Sequence, residues 1–188
     1  MRAVLLNGSR TDNSVVDEMA ISVGETLVKQ GLNVTSYTLR DHKIGYCIGC
    51  FGCWTKSPGE CVIKDDNREI AEDIIQGDLL VFVTPIVFGG YSAELKRMVD
   101  HLIPLISPFF RKLHTETHHR MRYSHYPNLL AVGSLPAPDP RQESIFHELV
   151  RRNAISLGDA ESRSLVWYES DTLATIDELM HDELEVLR

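Results

Sequence analysis

Long apolar runs are missing from this sequence. No stretch approaches the roughly 18 consecutive apolar residues that a membrane-spanning helix needs, so we expect no membrane partner. The first residues, MRAVLLNGS, also lack the longer apolar region and the small-residue cleavage site of a secretory signal. We therefore expect a cytoplasmic protein, in which thiols stay reduced.

Basic residues are also few. There are 19 Lys and Arg against 27 Asp and Glu, and the formal net charge is −8. A nucleic-acid partner requires a basic footprint, so none is predicted. Residues 108–127 depart from this average, and we interpret them as a surface excursion that meets a neighbouring subunit or binds a phosphate group. Its cationic and histidine positions are Arg111, Lys112, His114, His118, His119, Arg120, Arg122 and His125.

Glycine-rich phosphate motifs are absent too. The loop GSRTDNS contains only Gly8, which matches neither GxGxxG nor the Walker pattern. This argues against a Rossmann dinucleotide site and against a P-loop nucleotidase.

Alternating strand and helix signals organise what is present. The runs RAVLLN, LNVTSYTL, DLLVFVTP, NLLAVGS and SLVWY predict five strands, and the segments after them carry apolar residues at helical spacing. This alternation is typical of an α/β fold. We expect one domain over residues 1–188, with a doubly wound five-stranded parallel sheet of order 2-1-3-4-5 and helices on both faces. Ligands bind such sheets at the switch point, beyond the carboxyl ends of strands 1 and 3.

The loops after strands 1 and 3 are therefore candidate binding loops. The first is polar and opens a helix, which suits a monoester phosphate, although an ordinary capped turn fits it too. The second, TPIVFGGYS, offers apolar side chains and bare backbone to a planar ring; a loop packed under a neighbouring subunit is the alternative. Together they favour flavin mononucleotide (FMN). The residues concerned are Ser9, Arg10, Thr11, Asn13 and Ser14 in the first loop, and Pro85, Val87, Phe88, Gly89 and Gly90 in the second.

All 4 cysteines lie in one stretch, CIGCFGCWTKSPGEC. The C-x₂-C-x₂-C spacing opens the runs that hold iron–sulfur clusters, and Ser57-Pro58-Gly59 is a turn signal that returns the last cysteine toward the others. A [4Fe–4S] cluster is the leading interpretation. A metal-free thiol loop and a structural zinc site remain alternatives, and a disulfide framework fits poorly with reduced thiols. The candidate ligands are Cys47, Cys50, Cys53 and Cys61.

GSRTDNS, the cysteine stretch and TPIVFGGYSAELKRMVDHL together resemble the flavodoxin-like NADPH-dependent FMN reductase family, and within it the iron–sulfur flavoproteins. The resemblance runs from the first strand to near Ile103 and continues more weakly through YPNLLAVGS and FHELVRRNA. Val87 and His101 depart from it, because relatives usually carry Tyr and Arg there. It implies phosphate contacts from Ser9, Arg10, Asn13 and Ser14, ring contacts from Thr84, Pro85, Ile86, Val87, Phe88 and Gly89, and a third contact near Gly133 and Ser134.

The resemblance implies an FMN-dependent NAD(P)H oxidoreductase that passes electrons, through a cluster if one is bound, to a small-molecule or protein acceptor. It also implies a homodimer or homotetramer. No residue is nominated as a general acid or base, since the cofactor carries the reaction. Two alternatives are a non-enzymatic flavodoxin-like electron carrier, and a zinc or redox-sensing module without flavin.

Overall fold

A five-stranded parallel sheet forms the centre of the structure. The computed structural model describes residues 1–113, 115–158 and 160–187. The sheet has the strand order β2-β1-β3-β6-β7, which is 2-1-3-4-5 when only its own strands are counted, so the predicted doubly wound fold is confirmed. Its strands are β1 (Arg2–Asn7), β2 (Asn33–Thr38), β3 (Leu79–Pro85), β6 (Asn128–Leu135) and β7 (Ser162–Tyr168).

Helices cover both faces of this sheet. One face carries α1 and α6, and the other carries α3, α4 and α5. Successive strand residues point to opposite faces, so Leu80 and Phe82 of β3 pack on one side while Val81 and Val83 pack on the other. Burial on both sides explains the uninterrupted apolar run of that strand. The helices are α1 (Val15–Lys29), α2 (Gly52–Thr55), α3 (Asn67–Gln76), α4 (Ala93–Asp100), α5 (Pro140–Ser156) and α6 (Thr175–Val186). Within the described ranges, none of them is both long and apolar enough to cross a membrane.

The basic excursion is a β-hairpin. Strands β4 (Ile106–Leu113) and β5 (Glu116–Met121) pair antiparallel as a separate two-stranded sheet between α4 and β6. The sequence predicted a surface excursion here but no strands, because neither strand shows a regular alternation of buried and exposed positions. His114, one histidine of this excursion, lies outside the described residues.

A chain of four aromatic rings in contact joins the hairpin to the cysteine loop, residues 47–61. Phe51 stacks on Trp54, with ring centroids 5.2 Å apart, and His119 lies 4.9 Å from Trp54 and 4.8 Å from Phe110. The Trp54 indole N–H also donates to the carbonyl of Ile106 at 3.0 Å. The hairpin therefore supports the loop that carries the four thiols.

Candidate functional site

Three loops meet at the carboxyl end of the sheet. They are the phosphate loop (residues 8–14) after β1, the ring loop (residues 84–90) at the end of β3, and the end of β6 around residues 133–134. The pairing of β1 with β3 and of β3 with β6 makes them neighbours. The predicted phosphate and ring residues are thus brought to one edge, at the switch point.

Gly8 lets the phosphate loop approach the start of α4. Its N–H donates to the Val83 carbonyl at 2.7 Å. A Cβ on Gly8 would lie 2.7 Å from Ser92 Oγ and 2.9 Å from Leu95 Cβ, which is closer than real contacts allow. Gly8, which matched no phosphate motif in the sequence, is therefore required by packing.

The phosphate loop presents its backbone to solvent. The buried Ser9 hydroxyl donates to the Thr11 carbonyl at 2.9 Å and shares a 2.6 Å hydrogen bond with Ser14 Oγ, which holds the loop closed at its base. Asn13 adopts a left-handed conformation with φ of 53°. In the part of the chain that the structure describes, the backbone N–H groups of residues 10–13 have no acceptor. Free N–H groups beside the positive end of α1 form a site suited to an anion.

Arg40 lies beside this loop and was not found by sequence reasoning. Its guanidinium donates to Asp17 at 2.8 Å and to the exposed Asp12 at 2.7 Å. Burial acts to raise the pKa of Asp17, but hydrogen bonds from Arg40, Asn7 and the Ser14 backbone outweigh it and lower that pKa. Arg40 is 28 residues from Asp12, so no local pattern signals their contact. The predicted cation, Arg10, points instead toward Glu94 of α4 at 3.7 Å.

Ser14 begins α1 with a capping box. Its hydroxyl accepts from the Asp17 N–H, and the Asp17 carboxylate accepts from the Ser14 N–H. Loss of a serine N-cap costs about 1 kcal/mol. We expect Ser14→Ala to lower the free energy of unfolding by about 1 kcal/mol in urea titrations. Glu25→Ala, at an exposed position of the same helix, is the control and should change it by less than about 0.5 kcal/mol.

The ring loop ends in a tight turn at Phe88 and Gly89. Both residues have positive φ angles, 52° and 81°, and Val87 and Gly90 exchange two backbone hydrogen bonds of 2.9 Å. The turn leaves the Phe88 side chain 92% exposed. Gly89 N–H donates to Gln142 Oε1 of α5 at 3.2 Å, which ties the turn to that helix.

The base of the ring loop is built from the remaining predicted residues. Thr84 Oγ1 accepts from the Ser92 N–H at 2.9 Å, and Ile86 N–H donates to the Ser134 carbonyl at 2.9 Å. A Cβ on Gly133 would lie 2.6 Å from Ile86, so Gly133 makes room for the loop by packing. Ser134 Oγ is buried and has no hydrogen-bond partner among the described residues. A buried hydroxyl without a partner at this edge fits a polar group of a bound cofactor.

The four thiols line a single apolar cavity, together with Ile48, Val62 and Ile63. Cys47 and Cys50 are exposed, and Cys61 is half-buried. Cys53 is buried, and this burial raises the pKa of its thiol, with a further contribution from the nearby Cys61, Cys47 and Cys50. Cysteine sulfurs are the ligand type that iron–sulfur and zinc centres use, so the donor set at this cavity is compatible with either.

The four thiols are not arranged as metal ligands in this structure. The volume of their cavity, about 20 Å³, holds roughly one water molecule. Over residues 1–113, 115–158 and 160–187, no group of three or more His, Cys, Asp or Glu is arranged to hold a metal ion. A cluster therefore requires the cysteine loop to rearrange; Cys47 and Cys50 are exposed on either side of Gly49, whose φ is 64°.

The chain is similar to proteins of one known family. The model of the NADPH-dependent FMN reductases matches residues 1–117. An iron–sulfur flavoprotein of Methanocaldococcus jannaschii is 30% identical over 105 residues, which cover 56% of this chain and 53% of that protein. An iron–sulfur flavoprotein of Archaeoglobus fulgidus is 29% identical over 104 residues, covering 55% and 46%. The chain spans about half the length of these curated relatives.

Solved structures share the whole fold. A protein of Klebsiella pneumoniae proposed to be a quinone reductase superposes with a TM-score of 0.71 at 14% identity, over 100% of this chain and 85% of that one. The NAD(P)H:quinone oxidoreductase of Methanothermobacter marburgensis gives 0.66 at 17% identity, over 96% and 94%. At such identities the likeness shows a flavodoxin-like fold. Because the family model covers well over half of the 188 residues, the chain belongs to the NADPH-dependent FMN reductase family.

Proposed function

We propose that this chain is an FMN-dependent oxidoreductase that takes electrons from NAD(P)H and delivers them to a second acceptor. The observation that carries the proposal is the free backbone N–H groups of the phosphate loop, held beside the ring loop by the packing of Gly8. An anion site next to an exposed apolar turn matches the two ends of a flavin mononucleotide. The whole of residues 1–188 is proposed to act as one FMN-binding domain.

Each loop has a defined part in this proposal. The phosphate loop binds the phosphate through backbone N–H groups and the helix α1 terminus. Ser134 Oγ, which is buried and unpaired, supplies a hydrogen bond at the ring end, and the turn at Phe88 shields the ring from water. Bound FMN supplies the hydride-accepting and electron-releasing chemistry. The proposed binding residues are Ser9, Arg10, Thr11, Asn13, Ser14, Thr84, Pro85, Ile86, Val87, Phe88, Gly89, Gly133 and Ser134.

We further propose that Cys47, Cys50, Cys53 and Cys61 hold a [4Fe–4S] cluster. Support comes from the shared apolar cavity and from the similar proteins, which are named iron–sulfur flavoproteins. Such a cluster supplies one-electron transfer between the flavin site and the surface. The second acceptor is proposed to be a small organic molecule, since a structural neighbour is a quinone oxidoreductase.

Flavin binding by the anaerobically purified protein is the first test. We expect FMN to bind more tightly than riboflavin by about tenfold to a hundredfold, because charge-assisted hydrogen bonds to the phosphate contribute ~1.5–3 kcal/mol. Fluorescence titration measures both affinities, and NADPH and NADH oxidation is then followed on the FMN-loaded protein. Equal affinity for FMN and riboflavin would contradict the phosphate site. Tight FMN binding without NAD(P)H oxidation would favour an electron carrier, and absence of any flavin binding would overturn the proposal.

A further inference from the structure

A buried histidine shares the cavity of the four thiols. His101 follows the last turn of α4, and its side chain is only 1% exposed. It lines the same cavity as Cys47, Cys50, Cys53 and Cys61. In the sequence this position appeared only as a departure from related proteins; the structure places it at the thiols.

Neither ring nitrogen of His101 has a hydrogen-bond partner among the described residues. Leaving a buried polar group unpaired destabilises the folded state, so such a group in a folded protein requires an explanation. The surrounding cavity is apolar, with carbon and sulfur at its wall. A hydrogen-bonding group inside this cavity would supply the missing partner.

A carboxylate stands behind the ring. Asp65 Oδ2 lies 3.9 Å from His101 Nδ1, too far for a hydrogen bond but close enough to orient the imidazole electrostatically. Asp65 is itself fixed, because it accepts from the Gly45 N–H at 2.7 Å and from the Asn67 N–H at 3.2 Å. Asn67 in turn donates from its side chain to the His101 carbonyl at 3.4 Å. Nδ1 therefore faces the carboxylate, and Nε2 is the ring nitrogen with no polar group recorded near it among the described residues.

We propose that His101 is a fifth protein group of the cysteine site and donates an N–H hydrogen bond to a sulfur of the metal centre held by the four cysteines. The inference rests on the proposed iron–sulfur centre. Thiolate and sulfide sulfurs of such a centre carry negative charge, and hydrogen bonds to them help set its reduction potential. His101 is a positioning and tuning residue in this arrangement, with Asp65 holding the ring toward the cavity.

Two substitutions separate this role from packing. His101→Leu removes the N–H donor, whereas His101→Gln keeps one, and each protein is reconstituted anaerobically with ferrous iron and sulfide. Iron per chain should stay at the wild-type level in both variants, because all four cysteines remain. The potential of the centre, measured by a redox titration followed by electron paramagnetic resonance, should fall in His101→Leu. We expect about a tenfold lower ratio of reduced to oxidised centre at a fixed potential, which is a shift of about 59 mV for one electron; His101→Gln should lie nearer the wild type.

Each outcome decides the inference. An unchanged potential in His101→Leu overturns it, and so does iron loss in both variants, which would make His101 a ligand. Failure of the wild type to take up iron overturns it as well. That result leaves the flavin proposal intact, because FMN binding and NAD(P)H oxidation are measured on the same samples. If His101→Leu does not fold by circular dichroism, His101→Met makes the same comparison with an unbranched side chain that also lacks an N–H.

Discussion

Replacing Cys53 with serine is expected to reduce reconstituted iron from about four atoms per chain to fewer than one. Cys53 is the only buried thiol of the four, and it is carried by the short helix α2. A serine hydroxyl is a hard, weakly acidic ligand and does not replace a thiolate on iron. Iron and acid-labile sulfide are measured after anaerobic reconstitution with the same reagents used for the wild type.

Ser57→Ala is the matched control for this substitution. Ser57 lies at an exposed position of the same loop, and no hydrogen bond of its hydroxyl is present within the described structure. Its iron content should equal that of the wild type, and FMN binding should persist in both variants because neither residue lies in the phosphate or ring loop. Full iron in Cys53→Ser would show that the other cysteines suffice. A wild type that stays free of iron after reconstitution would favour the metal-free thiol interpretation.

Replacing Gly89 with alanine is expected to weaken FMN binding by about tenfold or more. The residue has a φ of 81°, a conformation that costs other residues ~1–2 kcal/mol, and ~1.4 kcal/mol is tenfold in affinity. A Cβ there would also lie 2.6 Å from Ile145 and 3.3 Å from the Gln142 carbonyl, both on α5. To relieve this overlap, the turn must move away from α5, and this movement carries Phe88 away from the proposed ring position. Fluorescence titration with FMN measures the loss.

Gly90→Ala tests whether the effect comes from this strained turn. A Cβ on Gly90 would lie 3.5 Å from the Val87 carbonyl, an ordinary contact, and its φ is not in the left-handed region. We expect its FMN affinity to remain within about threefold of the wild type. Equal losses in both variants would contradict the turn mechanism and indicate that added side chains block the flavin directly.

Much of the fold was predictable because its signals are local. Strands of the central sheet were predicted from apolar runs or, for β2, from a β-rich segment that alternates loosely. The spacing of Val16, Met19, Val23 and Leu27 predicted α1, and all four side chains are buried. The hairpin β4–β5 was missed because its strands show no regular alternation of buried and exposed positions, and its contact with the cysteine loop, through Trp54 and His119, has no local sequence signal.

The candidate site also has a part that local sequence patterns predict and a part that only the folded structure reveals. The serine cap at Ser14, the glycines of the turn after β3 and the cysteine spacing are local patterns. The sequence by itself therefore determined the capped start of α1, that turn and the grouping of the four thiols, as well as the order of the strands. Only the tertiary structure decided what surrounds them. It placed Arg40 beside the phosphate loop and His101 among the thiols, because residues distant in sequence meet only when the sheet and its crossovers are packed.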